Sequence, residues 1–238
     1  MNPKVCILTA GIGRRLNSHA KILNKALLPL EGKAIISHII EKFSLETEFV
    51  IAIGYKSEQV VNYLRLAHSD RSFIFVKVEN FDGIGSGPGL SALYCQAHLM
   101  EAFYLVSSDT LWTEDINLFP ISHNWIGVSQ VTVDESENYC NILIKNELAE
   151  DIFDKTRTTE KNTMAFTGLA FIKTPDFFWQ GLLKEEQTLN EKQISTGLRE
   201  IIEKDLLKVK KITWTDVGTE QKYIDEVKKH SNFPHFTK

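Results

Sequence analysis

The first half of the chain alternates short, continuous apolar runs with segments of helical period, and few architectures accept that pattern. Val5 to Thr9, Phe49 to Ile53 and Phe73 to Val78 have the length and the β-branched and aromatic content of strands covered on both faces. Between them, Ile35, Ile36, Ile39, Ile40 and Phe43 fall on one helical face, and Val60, Val61, Tyr63 and Leu64 on another. A fourth run, Phe103 to Val106, ends in "SSDT". Strand and helix alternating over short connections predict a parallel sheet lying between helices and wound right-handedly.

The second half is less regular. Trp125 to Val133, Asn141 to Ile144 and Met164 to Ile172 read as strands separated by polar stretches such as 155–162, which predicts antiparallel strands at one edge. Helices are expected over Phe177 to Leu183 and Thr196 to Leu207, then a strand from Val209 to Trp214 and a last helix from Thr219 to Lys229. The expected fold is α/β: a Rossmann-like three-layer sandwich around a mixed, mainly parallel sheet. No repeat, low-complexity tract or linker interrupts it, so one domain is expected over 1–238, with halves of about 1–112 and 113–238.

With 238 residues, 43% of them hydrophobic, the chain can bury a sizeable core. The net charge of −4, without a run of five like charges, argues against a general nucleic-acid or membrane-surface binder. Any anion site must therefore be local. Three cysteines, Cys6, Cys95 and Cys140, form no CxxC pair and read as reduced thiols in or near the core. The histidines show no HxH or HExxH spacing, which disfavours zinc. No stretch has the length of a membrane span, and a cytoplasmic protein is expected.

Ligands of such a sheet bind beyond the carboxyl ends of its strands. The first loop there, "AGIGRRL", supplies Gly11, Gly13, Arg14 and Arg15, with Lys25 further on. Glycines let successive N–H groups point at phosphate oxygens while the cations neutralise charge. The loop lacks the GK[ST] of a Walker A motif and has Leu16 where a dinucleotide fingerprint needs a third glycine. Asp109 ends the fourth strand, and Asp216 follows the last one in "WTDVGT". Each alone suits a turn or a helix cap. Together with the cationic loop they suit a magnesium-bound polyphosphate. A second glycine cluster, Gly85, Gly87 and Gly89 around Pro88, can bring backbone against a flat base, or it is a surface loop.

On these residues the chain resembles the nucleotidylyltransferases of the sugar-phosphate and choline-phosphate type. Their AGxGxRL loop appears as Ala10, Gly11, Gly13, Arg15 and Leu16, and their KxLLPxxGK segment as "KALLPLEGK" with Lys25. The resemblance implies metal binding by Asp109 and Asp216, pyrophosphate binding by Arg15 and the glycine amides, and stabilisation of the reacting α-phosphate by Lys25. It also implies an acceptor pocket using Lys155 in "FDK" and Thr167 and Gly168 in "FTGLAFI". The reaction would pass a nucleotidyl group from a nucleoside triphosphate to a phosphorylated small molecule, for glycan or phospholipid-type modification.

"LSALYCQ" resembles the SLY segment of choline-phosphate cytidylyltransferases, favouring CTP and phosphocholine; a sugar 1-phosphate acceptor is the alternative. A quaternary ammonium would need aromatic faces. Trp112, Tyr139, Phe166 and Trp214 are the candidates, and Tyr139 is the least core-like. A non-catalytic nucleotide-binding relative is a further alternative. Asn24 stands where the family usually has proline, and Asp154 and Thr156 replace the glutamate and proline that flank its acceptor lysine. Arg14, Lys21 and Lys33 are left as surface cations. The size fits compact, monomeric or homodimeric members, and the ending "HSNFPHFTK" resembles that of longer relatives with a kinase-like domain, a possible fused or separate partner.

Overall fold

A computed structural model describes residues 2–185 and 187–230; apart from His230, the ending "HSNFPHFTK" lies outside the described residues. The strands are β1 (Lys4–Leu8), β2 (Pro29–Leu30), β3 (Lys33–Ala34), β4 (Glu48–Ile53), β5 (Ser72–Lys77), β6 (Phe103–Ser107), β7 (Thr110–Trp112), β8 (Asn124–Ser129), β9 (Cys140–Lys145), β10 (Leu148–Asp154), β11 (Thr163–Ile172), β12 (Leu207–Lys211) and β13 (Trp214–Asp216). The helices are α1 (Asn17–Ile22), α2 (Ile35–Ile40), α3 (Ser57–Ala67), α4 (Pro88–Tyr94), α5 (Pro175–Leu183), α6 (Ser195–Lys204) and α7 (Glu220–His230). Among the described residues, no helix is long and apolar enough to cross a membrane.

Among the described residues, nine strands share one sheet in the order β5-β4-β1-β6-β11-β8-β12-β10-β9. The first four run parallel, as their continuous apolar sequences require of strands covered on both faces. Beyond β6 the sheet is mixed: β11 is antiparallel to both β6 and β8, β8 and β12 are parallel, and β10 is antiparallel to β12 and β9. Along β1, Cys6 and Leu8 enter one core with residues of α4, α5 and α6. Val5 and Ile7 enter the other, with α2 and α3. This gives the three layers. Phe103, stacked on Trp179 at 5.3 Å between ring centroids, pins α5 to the first face.

Two small ribbons lie outside the main sheet. β2 pairs with β3, and β13 pairs with β7 in the register Trp214↔Trp112 and Asp216↔Thr110. A third apolar cluster joins Leu16 and Ala20, beside the first glycine loop, to Val217 and Tyr223 of the C-terminal segment. It docks α7 on α1, and Tyr223 Oη donates to the Pro29 carbonyl at 2.7 Å.

The departures from the sequence reading have local causes. β10 shows no simple apolar alternation, because a bulge between Ala149 and Asp151 resets which side chains face inward. The strand expected to reach Val133 stops at Ser129, where the chain enters a turn closed by Thr132 and Glu135. The strand expected over 209–214 divides into β12 and β13, which belong to different sheets. Half of the second glycine cluster is helical, since Pro88 occupies the first turn of α4. The cysteines are free, with Cys6 and Cys95 buried.

Gly168 marks a register shift in β11. Its φ is +89°, and a Cβ there would lie 2.6 Å from Ser107 Oγ and 2.9 Å from Thr110 Oγ1. Gly168→Ala is therefore expected to destabilise the protein by at least ~2 kcal/mol in urea unfolding. Gly11→Ala, where a Cβ meets nothing within 4 Å, is expected to stay within about 0.5 kcal/mol of the parent.

Candidate active site

The first glycine loop leaves β1 from a fixed point. Thr9 donates through both its amide (3.0 Å) and its hydroxyl (2.7 Å) to the Ala52 carbonyl of β4, and the Tyr55 amide donates to Ala10 O at 2.9 Å. Gly13, at φ +72°, turns the chain into a short 3-10 turn whose Leu16 side chain is fully buried. The amides of Gly11, Ile12 and Gly13 have no acceptor among the described residues. Arg15 is exposed and has no hydrogen-bond or ion-pair partner among them. Four groups able to hold an anion thus converge on one bend.

Lys25 reaches the same place by a different route. It opens a 3-10 turn capped by Asn24, whose Oδ1 accepts from the Ala26 amide at 3.0 Å. Asn24 is fully buried; its Nδ2 donates to Thr9 O (3.0 Å) and Tyr55 O (2.7 Å), while its own amide donates to Gln59 Oε1 (3.0 Å). The residue that departs from the family proline therefore ties the lysine turn to the root of the glycine loop. Proline could make none of these donations.

Lys25 Nζ donates to Asp109 Oδ2 at 2.8 Å, both side chains being about five-sixths buried. Burial pushes the Asp109 carboxyl upward, but the Lys25 ammonium and then Arg15 outweigh it and hold the group below the ordinary carboxylate range. The β7–β13 ribbon brings Asp216 alongside, with the Val217 amide donating to Asp109 O at 3.1 Å. Asp216 Oδ2 accepts from Tyr139 Oη (2.6 Å) and pairs with Lys222 Nζ (3.1 Å), while Oδ1 accepts from the Gly218 amide (2.9 Å). Burial and then the Asp216 bond push the Tyr139 phenol up to about 12. The Lys222 ammonium, despite its burial, is raised by the Tyr139 hydroxyl and Asp216.

A notch separates the two acids. A Cβ on Gly218 would stand 2.9 Å from Asp109 Oδ2 and 3.0 Å from Asp216 Oδ1, so both carboxylates face a space left open by a bare glycine. No cluster of three or more His, Cys, Asp or Glu side chains forms a metal cage among the described residues. Two carboxylates with room beside them suit a hard divalent cation that takes its other ligands from water and phosphate oxygens.

Beside these groups opens a cleft of about 530 Å³. Gly11, Gly13, Arg15, Lys25 and Asp109 line it, together with Phe81, Gly87 and Pro88. Lys155 also lines it, paired with Glu191 at 2.8 Å. Several expected contacts fall elsewhere. Gly85 and Gly89 do not line the cleft; their amides donate to Asn190 O (2.7 Å) and Lys192 O (2.8 Å) of segment 187–193, which seats on the glycine cluster. Thr167 and Gly168 pack behind the Asp109 turn, where the Thr167 carbonyl accepts from Thr110 Oγ1.

Tyr139, expected at the acceptor, serves Asp216 instead, and its ring is covered by Trp214 (5.3 Å) and Lys222 (4.9 Å). Trp112, Phe166 and Trp214 pack against the cores and none lines the cleft. Of the cations read as surface residues, Lys33 pairs with Glu41 and Lys21 is exposed, but Arg14 lines the cleft and pairs with Asp82, another lining residue. The contributions of Asn24, Lys222 and segment 187–193 carry no signal in the sequence beyond polar residues near motifs.

No protein-family model matches the chain. Bifunctional protein GlmU of Methanococcus vannielii is 24% identical over 221 residues, which is 89% of this chain and 51% of that protein. The D-glycero-alpha-D-manno-heptose 1-phosphate guanylyltransferase of Campylobacter jejuni is 20% identical over 190 residues, covering 78% of this chain and 82% of the relative. The chain thus spans about half the length of the archaeal relatives it matches. A UDP-glucose pyrophosphorylase solved with UDP-glucose superposes with a TM-score of 0.80 at 19% identity, covering 97% of this chain and 98% of that one. The UTP-bound UGPase of Acinetobacter baumannii gives 0.77 at 15% identity, covering 99% and 95%. The fold is that of the nucleotide-diphospho-sugar transferases.

Asn24→Ala is expected to cost about 2 kcal/mol in chemical unfolding, because it removes the cap and strands the buried carbonyls of Thr9 and Tyr55. Asn24→Asp keeps the cap acceptor but loses both donations, and is expected to be at least as destabilising.

Proposed function

We propose that the chain is a nucleotidyltransferase that passes a nucleotidyl group from a nucleoside triphosphate to a sugar 1-phosphate, releasing pyrophosphate. The observation that carries this reading is the pairing of Lys25 with Asp109 at 2.8 Å, with Asp216 across the Gly218 notch and unpartnered loop amides alongside. Binding a nucleotide needs phosphate donors alone. The added pair of acids and the lysine that shares their charge suit a reaction at phosphorus.

In this reading the triphosphate lies along the glycine loop, with its β- and γ-phosphates on the Gly11 to Gly13 amides and the Arg15 guanidinium. Asp109 and Asp216 would hold magnesium, which when bound offsets charge on the phosphates. Lys25 exchanges its contact with Asp109 for one with an α-phosphate oxygen, where charge builds as the reaction proceeds. An oxygen of the acceptor phosphate attacks the α-phosphorus in line; the bond from that phosphorus to the bridging oxygen breaks, and its electron pair leaves with pyrophosphate. A phosphate dianion is already a nucleophile near neutral pH, so no side chain need remove a proton. Lys155, which also lines the cleft, would meet the acceptor phosphate.

A sugar 1-phosphate is favoured over phosphocholine on two grounds. One matched relative is named for a heptose 1-phosphate, and one superposing structure holds UDP-glucose. The aromatic rings that could cage a quaternary ammonium are packed into cores or covered, and Phe81 is the aromatic residue on the cleft wall among the described residues. A fused or separate partner is in keeping with the half-length match to relatives named as bifunctional.

Asp109→Asn and Lys25→Ala are each expected to lower magnesium-dependent pyrophosphate release at least ~100-fold while leaving the unfolding transition intact. Near-parental release by either folded variant would overturn the assignment. Titration of CTP, UTP, GTP and dTTP against glucose 1-phosphate and phosphocholine is expected to give turnover with the sugar phosphate for at least one triphosphate. Turnover with phosphocholine alone would reverse the choice of acceptor.

A further inference from the structure

Each acid facing the Gly218 notch already has its own ammonium. Lys25 pairs with Asp109 at 2.8 Å, and Lys222 pairs with Asp216 at 3.1 Å. The second pair was not expected from the sequence, because Lys222 lies in the first turns of α7, outside the "WTDVGT" motif. Lys222 joins three parts of the chain: it bonds Asp216 at the end of β13, the Tyr139 hydroxyl, and Glu135 Oε1 at 3.2 Å in the turn before β9. Its helix is itself fixed, since Tyr223 and Val217 enter the third apolar cluster and Glu220 accepts from Asn17 Nδ2 at 2.7 Å. The side chain is one-third exposed and has an acidic partner on either side, so it can lean towards Glu135 without losing a counter-charge.

Two consequences follow. The contacts of Lys222 and Tyr139 are both made to Oδ2 of Asp216, which leaves Oδ1 facing the notch and Asp109. The charges around the notch also cancel: Asp109, Asp216 and Glu135 stand against Lys25, Lys222 and the Arg15 guanidinium. A divalent cation arriving alone finds little net attraction there, whereas one arriving on a triphosphate brings its anion with it.

We propose that Lys222 is a positioning residue that orients Asp216 and, by neutralising it, keeps the two-carboxylate notch from loading a divalent cation before the nucleotide arrives. The inference rests on the reading of Asp109 and Asp216 as the cation's carboxylates.

The test is manganese binding to nucleotide-free protein, followed by the electron paramagnetic resonance of free Mn2+. Lys222→Met and Lys222→Gln are each expected to bind Mn2+ about tenfold more tightly than the parent, since removing the ammonium leaves the notch anionic. Adding Asp109→Asn to either variant is expected to abolish the gain, and Lys222→Arg to keep the parental affinity. Circular dichroism and thermal unfolding report which variants are folded. A purely structural role for Lys222 predicts unchanged or weaker binding, so folded Met and Gln variants that bind Mn2+ no more tightly than the parent would overturn the proposal. So would a gain that survives Asp109→Asn. The readout uses neither triphosphate nor acceptor; a parent protein that released no pyrophosphate from any triphosphate would refute the proposed reaction and leave this result standing.

Discussion

The short ribbon between β7 and β13 is the contact on which the site depends. It pairs three residues on each side, yet it joins the end of the parallel half to the last strand before the C-terminal helix. Without it, Asp216 has no reason to stand beside Asp109. A ribbon this short cannot hold itself, because so distant a closure costs chain entropy that a few backbone bonds do not offset. Two anchors supply the rest: Trp112 and Ile212 enter the second core, and Val217, immediately after the acid, is fully buried in the cluster that also takes Leu16 of the glycine loop. One apolar cluster therefore locates the anion loop and the second acid relative to each other.

Electrostatics on this frame are arranged in pairs. Two carboxylates converging on one notch repel and, partly buried, would be driven towards protonation. Lys25 opposes that tendency at Asp109, which is held below its ordinary range although burial works against it, and Lys222 gives Asp216 a counter-charge. In the proposed reaction Lys25 trades its Asp109 contact for one with phosphate, and the turn that carries it is held in place. Four hydrogen bonds of Asn24, none of which a proline could make, provide that restraint, from a residue with no exposed surface.

Much of this was legible in the sequence. Continuous apolar runs marked the parallel strands, because burial on both faces leaves no room for polar alternation. The glycine loop, Lys25, Asp109 and Asp216 stood out because the proposed chemistry asks for those residue types at strand ends. What escaped depends on contacts between distant segments. The bulge hid β10 by breaking its alternation. Asn24 looked like a loss of proline when it is a gain of four bonds, and Tyr139 looked like an acceptor aromatic when its hydroxyl serves Asp216. Lys222, three residues beyond Thr219, is ordinary as sequence and becomes informative only when Glu135 and Tyr139 are folded against it.

Segment 187–193 extends the same lesson to substrate choice. Its backbone bonds the amides of Gly85 and Gly89, the Lys192 amide donates to Ser86 O at 2.7 Å, and a Cβ on Gly87 or Gly89 would stand only 2.5 Å from the Lys192 or Gln193 carbonyl. The small residues of the second cluster are thus explained first by this close seating, with Gly87 alone of the three also reaching the cleft. The seated segment then presents Glu191 and Gln193 to the cleft, and Glu191 pairs with Lys155, the cation assigned to the acceptor. That lining is built from charged and hydrogen-bonding groups, with the aromatic rings drawn away into packing. A polyhydroxylated phosphate ester can exchange hydrogen bonds with such a surface at little net cost, whereas a trimethylammonium group would desolvate it and return none.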